Sequence, residues 1–275
     1  MYFLSLYYLL RVSMAKISKT KLIIIISLTI GYMLLTFLPF EEWIGNEYGY
    51  LGFLLACLFI LAGISFFLKK KHEIEIERPI KEISYLWLLP LLIPCFSNFL
   101  YVFLMKIKPV AEIKGGILAL DLFCDLFLSI VEDAIFVDML NSLFLDLFEG
   151  KIRRAKLLSM TLCGLIFTLV HTYSFIYNSP EVAAFELIFI FLVALECSYL
   201  AIYFDSEIVP NSFHFLFNAI DFIAFDAIFE VKMSWHYFVF SMLIASFSLF
   251  YILALTKISS LQKYRKLYYK EDNDK

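Results

Sequence analysis

The chain has 275 residues, of which 62% are hydrophobic and 18% charged, with a formal net charge of −3. An ordinary soluble domain is roughly 45–50% apolar and 25% charged, so this composition excludes one and points to a polytopic membrane protein. No basic, aromatic-interleaved patch is present, which excludes a nucleic-acid partner.

A spanning helix needs roughly 17–25 apolar residues. About eight such runs follow one another along the chain: Leu22–Leu38, Tyr50–Leu68, Tyr85–Met105, Ile117–Leu147, Leu157–Tyr177, Ala183–Phe204, Pro210–Phe229 and Trp235–Leu255. Backbone groups in hydrocarbon must be satisfied within their own segment, and the alternation of barrel strands is absent, so the runs read as helices. The expected architecture is an all-α bundle over 22–256, with a cytoplasmic segment at 1–21 and a charged cytoplasmic tail at 257–275. The longest interruption, Lys69 to Glu82, is too short for a soluble domain.

Lysine and arginine gather in alternate connections. The leading segment carries Arg11, Lys16, Lys19 and Lys21, the second-to-third loop five cations from Lys69 to Lys81, and the fourth-to-fifth loop Lys151, Arg153, Arg154 and Lys156. The opposite loops Phe40–Gly49 and Thr172–Val182 carry none, although Lys106, Lys108 and Lys114 run against the trend. Both termini are therefore expected in the cytoplasm. Met14 opens a basic stretch that resembles a second translation start. The first run lacks a small-residue cleavage site after Leu38, so it reads as an uncleaved helix rather than a signal peptide. Five cysteines (Cys57, Cys95, Cys124, Cys163 and Cys197) lie in apolar runs without CxxC spacing and read as small buried residues rather than a disulfide framework.

The fourth run is the most polar. It holds Asp121, Asp125, Glu132, Asp133, Asp138 and Asp146. At about 100° per residue, Asp121, Asp125, Glu132 and Asp146 form one stripe, while Asp133 and Asp138 fall elsewhere. An ionised Asp at bilayer depth costs about 2.5–3.5 kcal/mol, so the stripe faces a groove and not lipid. A run of this length implies a bend, a tilt, or an interfacial amphipathic end near Asn141–Phe148. The fifth run ends on Phe167 and His171, one turn apart; the seventh carries His214, Asn218 and Asp221 on one face, after a helix start at Pro210-Asn211-Ser212. Glu186 and Glu196 lie off-register in the sixth. His72 and His236 read as solvated or interfacial, and the many Phe and Tyr residues as lipid-facing bulk and interface belts.

These groups suit water activation. A buried Glu beside an imidazole can serve as general base, and a His with an Asn amide can hold the oxyanion formed when water attacks an amide carbonyl. Glu132, His171 and His214 are also a plausible zinc set, although HExxH spacing is missing.

The order Glu132-Asp133, Phe167xxxHis171, His214xxxAsn218 resembles the CAAX prenyl protease type 2 and bacteriocin-processing family (CPBP, or Abi) of multi-span intramembrane endopeptidases. Its pattern is EExxxR, FxxxH and HxxxN on three helices. The resemblance covers roughly 117–229. It implies that Glu132 and His171 activate water, that His214 and Asn218 hold the oxyanion, and that Asp133 and Phe167 support them. Members of that family are viewed both as metalloproteases and as glutamate-dependent enzymes; the Glu/His/His/Asn set fits the metal-free version slightly better, so no cofactor is expected, with zinc the alternative. The sequence departs from the pattern twice: Asp133 replaces the second Glu, and Val137 stands at the Arg position. The expected substrate is a membrane-anchored peptide or precursor, and the composition suggests a bacterial cell membrane. Two other readings stand beside this one: a membrane immunity or scaffold protein that keeps the fold without activity, and a carrier using the acidic stripe as an ion path. Loop counting places His214 near the start of its run and Glu132 mid-membrane. A separation above about 10 Å would therefore count against catalysis, which needs hydrogen-bond reach.

Overall fold

The computed structural model describes residues 19–74, 89–90, 92–109, 115–148, 154–177, 179–203, 208–223 and parts of 239–257. The expectations about Met14, the 75–88 loop, His236, the charged tail and much of the last two runs lie outside those residues. The described residues are helical, without strand. Among them, four helices are long and apolar enough to cross a membrane: Lys19–Phe37, Glu47–Lys71, Ala155–Ile176 and Pro180–Ile202.

In chain order the elements are α1 (Lys19–Phe37), α2 (Phe40–Ile44), α3 (Glu47–Lys71), α4 (Leu92–Cys95), α5 (Ser97–Leu104), α6 (Gly115–Glu132), a π-helical segment (Asp133–Met139), α7 (Leu140–Phe148), α8 (Ala155–Val170), a 3₁₀ turn (His171–Tyr173), α9 (Ser174–Tyr177), α10 (Pro180–Tyr203) and α11 (Ile208–Phe222). The start of α3 is written locally. Gly45 adopts φ 73°, Asn46 is extended, and the Asn46 side chain accepts from the Gly49 amide at 2.6 Å. This is an N-cap that satisfies one orphan donor. The third run departs from the expected single span. Its described residues include two short helices separated at Phe96, after Pro94. α11 begins at Ile208, two residues before the expected start, because Pro210 is tolerated in a first helical turn.

α10 is the central element. It packs against α8, α11 and the π segment, and most of its spanning stretch is buried. Gly164 of α8 allows the close approach, since a Cβ there would meet the Phe191 ring at 3.1 Å. α3 is the opposite case, with 17% of its spanning stretch buried and Phe59, Ile60, Phe66 and Phe67 exposed, as a lipid-facing helix requires.

The fourth run corrects two expectations. Its backbone is helical from Gly115 to Phe148, but Asp133–Met139 winds as a π-helix, with the Leu140 amide bonded to the Ile135 carbonyl five residues back. The extra residue in the turn changes the phase beyond Glu132. Asp146 therefore leaves the predicted stripe and pairs with Lys21 at 3.4 Å near the surface, its side chain 59% exposed. α7 does not lie as an amphipathic end in the interface either. Seven of its residues, including Asn141 and Ser142, are buried, and it packs against α8. Asn141 repairs the widened backbone: its amide donates to the Val137 carbonyl at 2.7 Å, and Ser159 of α8 donates to Asn141 Oδ1 at 2.7 Å. The π segment also feeds both large apolar clusters, Val137 into one and Ile135, Phe136 and Met139 into the other.

Candidate active site

Glu132 closes α6 and opens the π segment. It is 2% exposed. One carboxylate oxygen, Oε1, accepts a short hydrogen bond from the Tyr32 hydroxyl of α1 and lies 3.4 Å from His171 Nε2. The other, Oε2, lies 3.3 Å from His214 Nε2. The sequence placed these groups on three separate runs, and the structure brings them to hydrogen-bond range. His214 Nε2 at 3.3 Å from Glu132 is inside the separation at which loop counting would have counted against the site.

The far nitrogen of each histidine is anchored. His171 Nδ1 lies 2.8 Å from the Phe167 carbonyl, which can only accept, so Nδ1 carries a hydrogen. His214 Nδ1 lies 2.9 Å from Asp133 Oδ1, where an ionised carboxylate likewise takes Nδ1–H. Both rings therefore turn Nε2 toward Glu132, and a proton shared along Oε2–Nε2 is the arrangement that satisfies both atoms. Phe167 wedges between the imidazoles, 4.4 Å from the His171 ring, 6.0 Å from His214 and edge-on to Phe136 at 5.1 Å. The FxxxH spacing thus supplies both a carbonyl acceptor and an aromatic wall.

Asn218 lies one turn beyond His214, and its amide donates to Ser129 Oγ at 3.3 Å. Ser129 in turn donates to the Asp125 carbonyl at 2.8 Å. Asn218 thus reaches the site through α6 rather than touching Glu132. The cavity in front of these groups has a volume of about 450 Å³ and is lined by Tyr32, Asp125, Glu132, His171, His214 and Asn218, with Glu186 and the Phe185, Phe189 and Phe217 rings around them. Ser174 bonds Glu186 at its edge.

The two histidines of the expected zinc set, His171 and His214, approach opposite oxygens of Glu132. The three donors whose ligand atoms do lie within 4.8 Å of one another, among the described residues, are Asp133, Cys197 and His214. There the Asp133–His214 hydrogen bond already occupies the contact.

Two groups were misread from the sequence. Tyr32 looked like one more belt aromatic but is 1% exposed and bonded to Glu132 across 100 residues. Lys69 looked like a loop cation but sits in the last turn of α3, 3% exposed, bonded to Asp138 at 2.9 Å. Nothing in the sequence marked Tyr32, whose run also carries the hydroxyls of Ser27, Thr29 and Thr36. Ser129, linking Asn218 to α6, carried no signal beyond its place three residues before Glu132. The cysteines read as expected: all five are free, and four are buried.

No protein-family model, curated protein or solved structure matches the chain.

Proposed function

We propose that the protein is an intramembrane endopeptidase that hydrolyses a peptide bond in a membrane-associated peptide or precursor. The supporting observation is a single buried carboxylate, Glu132, held between two imidazoles whose Nε2 atoms both face it, on the wall of a cavity large enough for a peptide segment. Glu132 takes a proton from water as the water oxygen bonds to the carbonyl carbon. That proton passes from Glu132 to His171 Nε2, 3.4 Å away, and from there to the departing amine as the C–N bond breaks. His214, its imidazolium form stabilised through Nδ1 by Asp133, donates Nε2–H to the oxyanion, and the Asn218 amide is the second donor. Tyr32 fixes the base.

The motif order adds the resemblance to the CPBP endopeptidases. In this reading the chain is a bundle of about eight spans in a bacterial cell membrane, with both termini cytoplasmic and the substrate entering near that face. A second reading, a catalytically impaired immunity or scaffold protein of the same fold, draws on Val137, which is buried in an apolar cluster where the motif has Arg.

The test is cleavage, in native membranes, of a tagged membrane-anchored precursor encoded beside this gene. Glu132→Gln and His214→Ala, at equal abundance, are expected to lower cleavage by roughly 10²–10⁴-fold. Cleavage that survives both variants transfers the protein to the second reading.

A further inference from the structure

Asp133, Cys197 and His214 come from the π segment, α10 and α11, three elements that pack against one another. One donor atom from each lies within 4.8 Å of the other two. All three residues are at most 3% exposed. The hydrolytic step uses only one of the contacts among them, His214 Nδ1 to Asp133 Oδ1 at 2.9 Å. Asp133 Oδ2 has no hydrogen bond among the described residues, and Cys197 is a free thiol with no part in that step. A buried carboxylate oxygen without a partner calls for an explanation, and a bound cation is one that a neighbouring thiol and imidazole make specific.

The donor set selects the cation. Calcium and magnesium take oxygen ligands, whereas a thiolate, an imidazole and a carboxylate together suit zinc. Charge agrees: a thiolate and a carboxylate cancel the two charges of Zn²⁺ and the imidazole is neutral, so the group as a whole adds no charge to an apolar interior. At zinc bond lengths of about 2.0–2.3 Å, tetrahedral ligands sit roughly 3.3–3.8 Å apart, so donors within 4.8 Å need to close by about 1 Å at most. The far side of His214 fits as well. A metal-bound histidine ordinarily donates its other ring N–H to a carboxylate, and His214 Nε2 lies 3.3 Å from Glu132 Oε2.

We infer that Asp133, Cys197 and His214 Nδ1 form a zinc site directly behind Glu132. Nδ1 is the assigned nitrogen because it is the one turned to Asp133. On binding, zinc takes the place of the hydrogens on Nδ1 and on the Cys197 sulfur, two protons leave to water, and an oxygen of Asp133 is the third ligand. The fourth tetrahedral position falls to water or to the second Asp133 oxygen. The site differs from the Glu132, His171 and His214 set: His171 takes no part, and Glu132 is an outer partner that accepts from Nε2–H. It does not depend on the peptidase reading. Under that reading, zinc on Nδ1 fixes the hydrogen on Nε2, so that His214 faces Glu132 and the oxyanion as a donor without a second ring proton.

The experiment uses the full chain in lipid nanodiscs, stripped with a chelator and titrated with Co²⁺ as a spectroscopic stand-in for zinc. One Co²⁺ per chain is expected, with the visible bands of a four-coordinate ion and a near-ultraviolet thiolate-to-cobalt band, all removed by added Zn²⁺. Cys197→Ser is expected to abolish the thiolate band. Asp133→Asn and His214→Gln are expected to weaken Co²⁺ binding by more than roughly 100-fold, Glu132→Gln by the roughly 10–100-fold typical of an outer partner, and His171→Ala not at all. Circular dichroism checks the helix content of each variant. A chain with Cys57, Cys95, Cys124 and Cys163 changed to Ala keeps Cys197 as its one thiol and should keep the band, which decides the matter if Cys197→Ser does not fold. A folded wild-type chain that binds no Co²⁺, a thiolate band that survives Cys197→Ser or is lost from the four-Ala chain, or binding lost with His171→Ala overturns the inference. If no metal binds while Glu132→Gln still abolishes cleavage of the tagged precursor, the peptidase reading stands alone. If Co²⁺ binds as expected in a chain that cleaves nothing, the peptidase reading falls and the metal site stands.

Discussion

Two buried glutamates, Glu132 and Glu196, lie in the same bundle and meet opposite treatment. Glu132 has Tyr32, His171 and His214 on its two oxygens and a cavity in front. Glu196 is fully buried in α10, and neither of its oxygens has a hydrogen bond among the described residues; Ser248 acts on it electrostatically without bonding geometry. Burial by itself therefore does not define a site here. The difference lies in convergence: three helices place bonding polar atoms on Glu132, whereas among the described residues no atom makes a hydrogen bond to Glu196 and Ser248 is the polar group that acts on it. An ionisable group at membrane depth is a reason to look for partners, and the partners decide what it can do.

Three changes would break or sharpen that contrast. The largest effect is expected at Asp133→Asn, which removes the charge behind His214 and permits the wrong ring tautomer. Cleavage of the tagged precursor should fall by about 10²–10⁴-fold at normal abundance. A variant with near-normal turnover would reduce Asp133 to a packing residue. Tyr32→Phe comes next. It deletes one hydrogen bond to a charged group, worth about 1.5 kcal/mol or roughly tenfold in kcat, with little change in helix content by circular dichroism. An unchanged kcat would show that the two histidines alone hold Glu132. The smallest effect on activity is expected at Glu196→Leu. Replacing a buried carboxyl that lacks hydrogen bonds should leave cleavage intact and raise stability by about 1–3 kcal/mol, read as a higher melting temperature in detergent. Loss of cleavage in a folded Glu196→Leu protein would make α10 a second working centre and end the contrast.

Much of the helical architecture was legible in the sequence because apolar runs between basic loops are a direct consequence of hydrocarbon thickness. Glu132, Asp133, His171, His214 and Asn218 were legible because a polar side chain stands out against apolar neighbours and because fours and sevens place residues on one helix face. What escaped was whatever depended on another helix or on a departure from 3.6 residues per turn. Lys69 sat in a run of three lysines, and only its inward turn distinguishes it from Lys70 and Lys71. Tyr32 had no partner within a hundred residues of sequence. Asp146 was misassigned by a helical wheel that assumed α geometry through Asp133–Met139, and Asn141, which looked like part of an interfacial end, serves as a patch on that turn. Local periodicity carries no record of such an insertion.

The π turn also determines which edits the gene can tolerate. An extra residue held in a helix is a stored frameshift of side chains, and here it lies between the acid pair and everything C-terminal to it in that run. Loss of one codon from Ala134 to Val137 would let the segment relax to an ordinary α-helix, turning α7 by about 100°. That turn would draw Asp138 away from Lys69 and part Asn141 from Ser159, without altering a single catalytic residue. Loops elsewhere in such a bundle can gain or lose residues freely. This turn ties function to chain length as strictly as to chemistry.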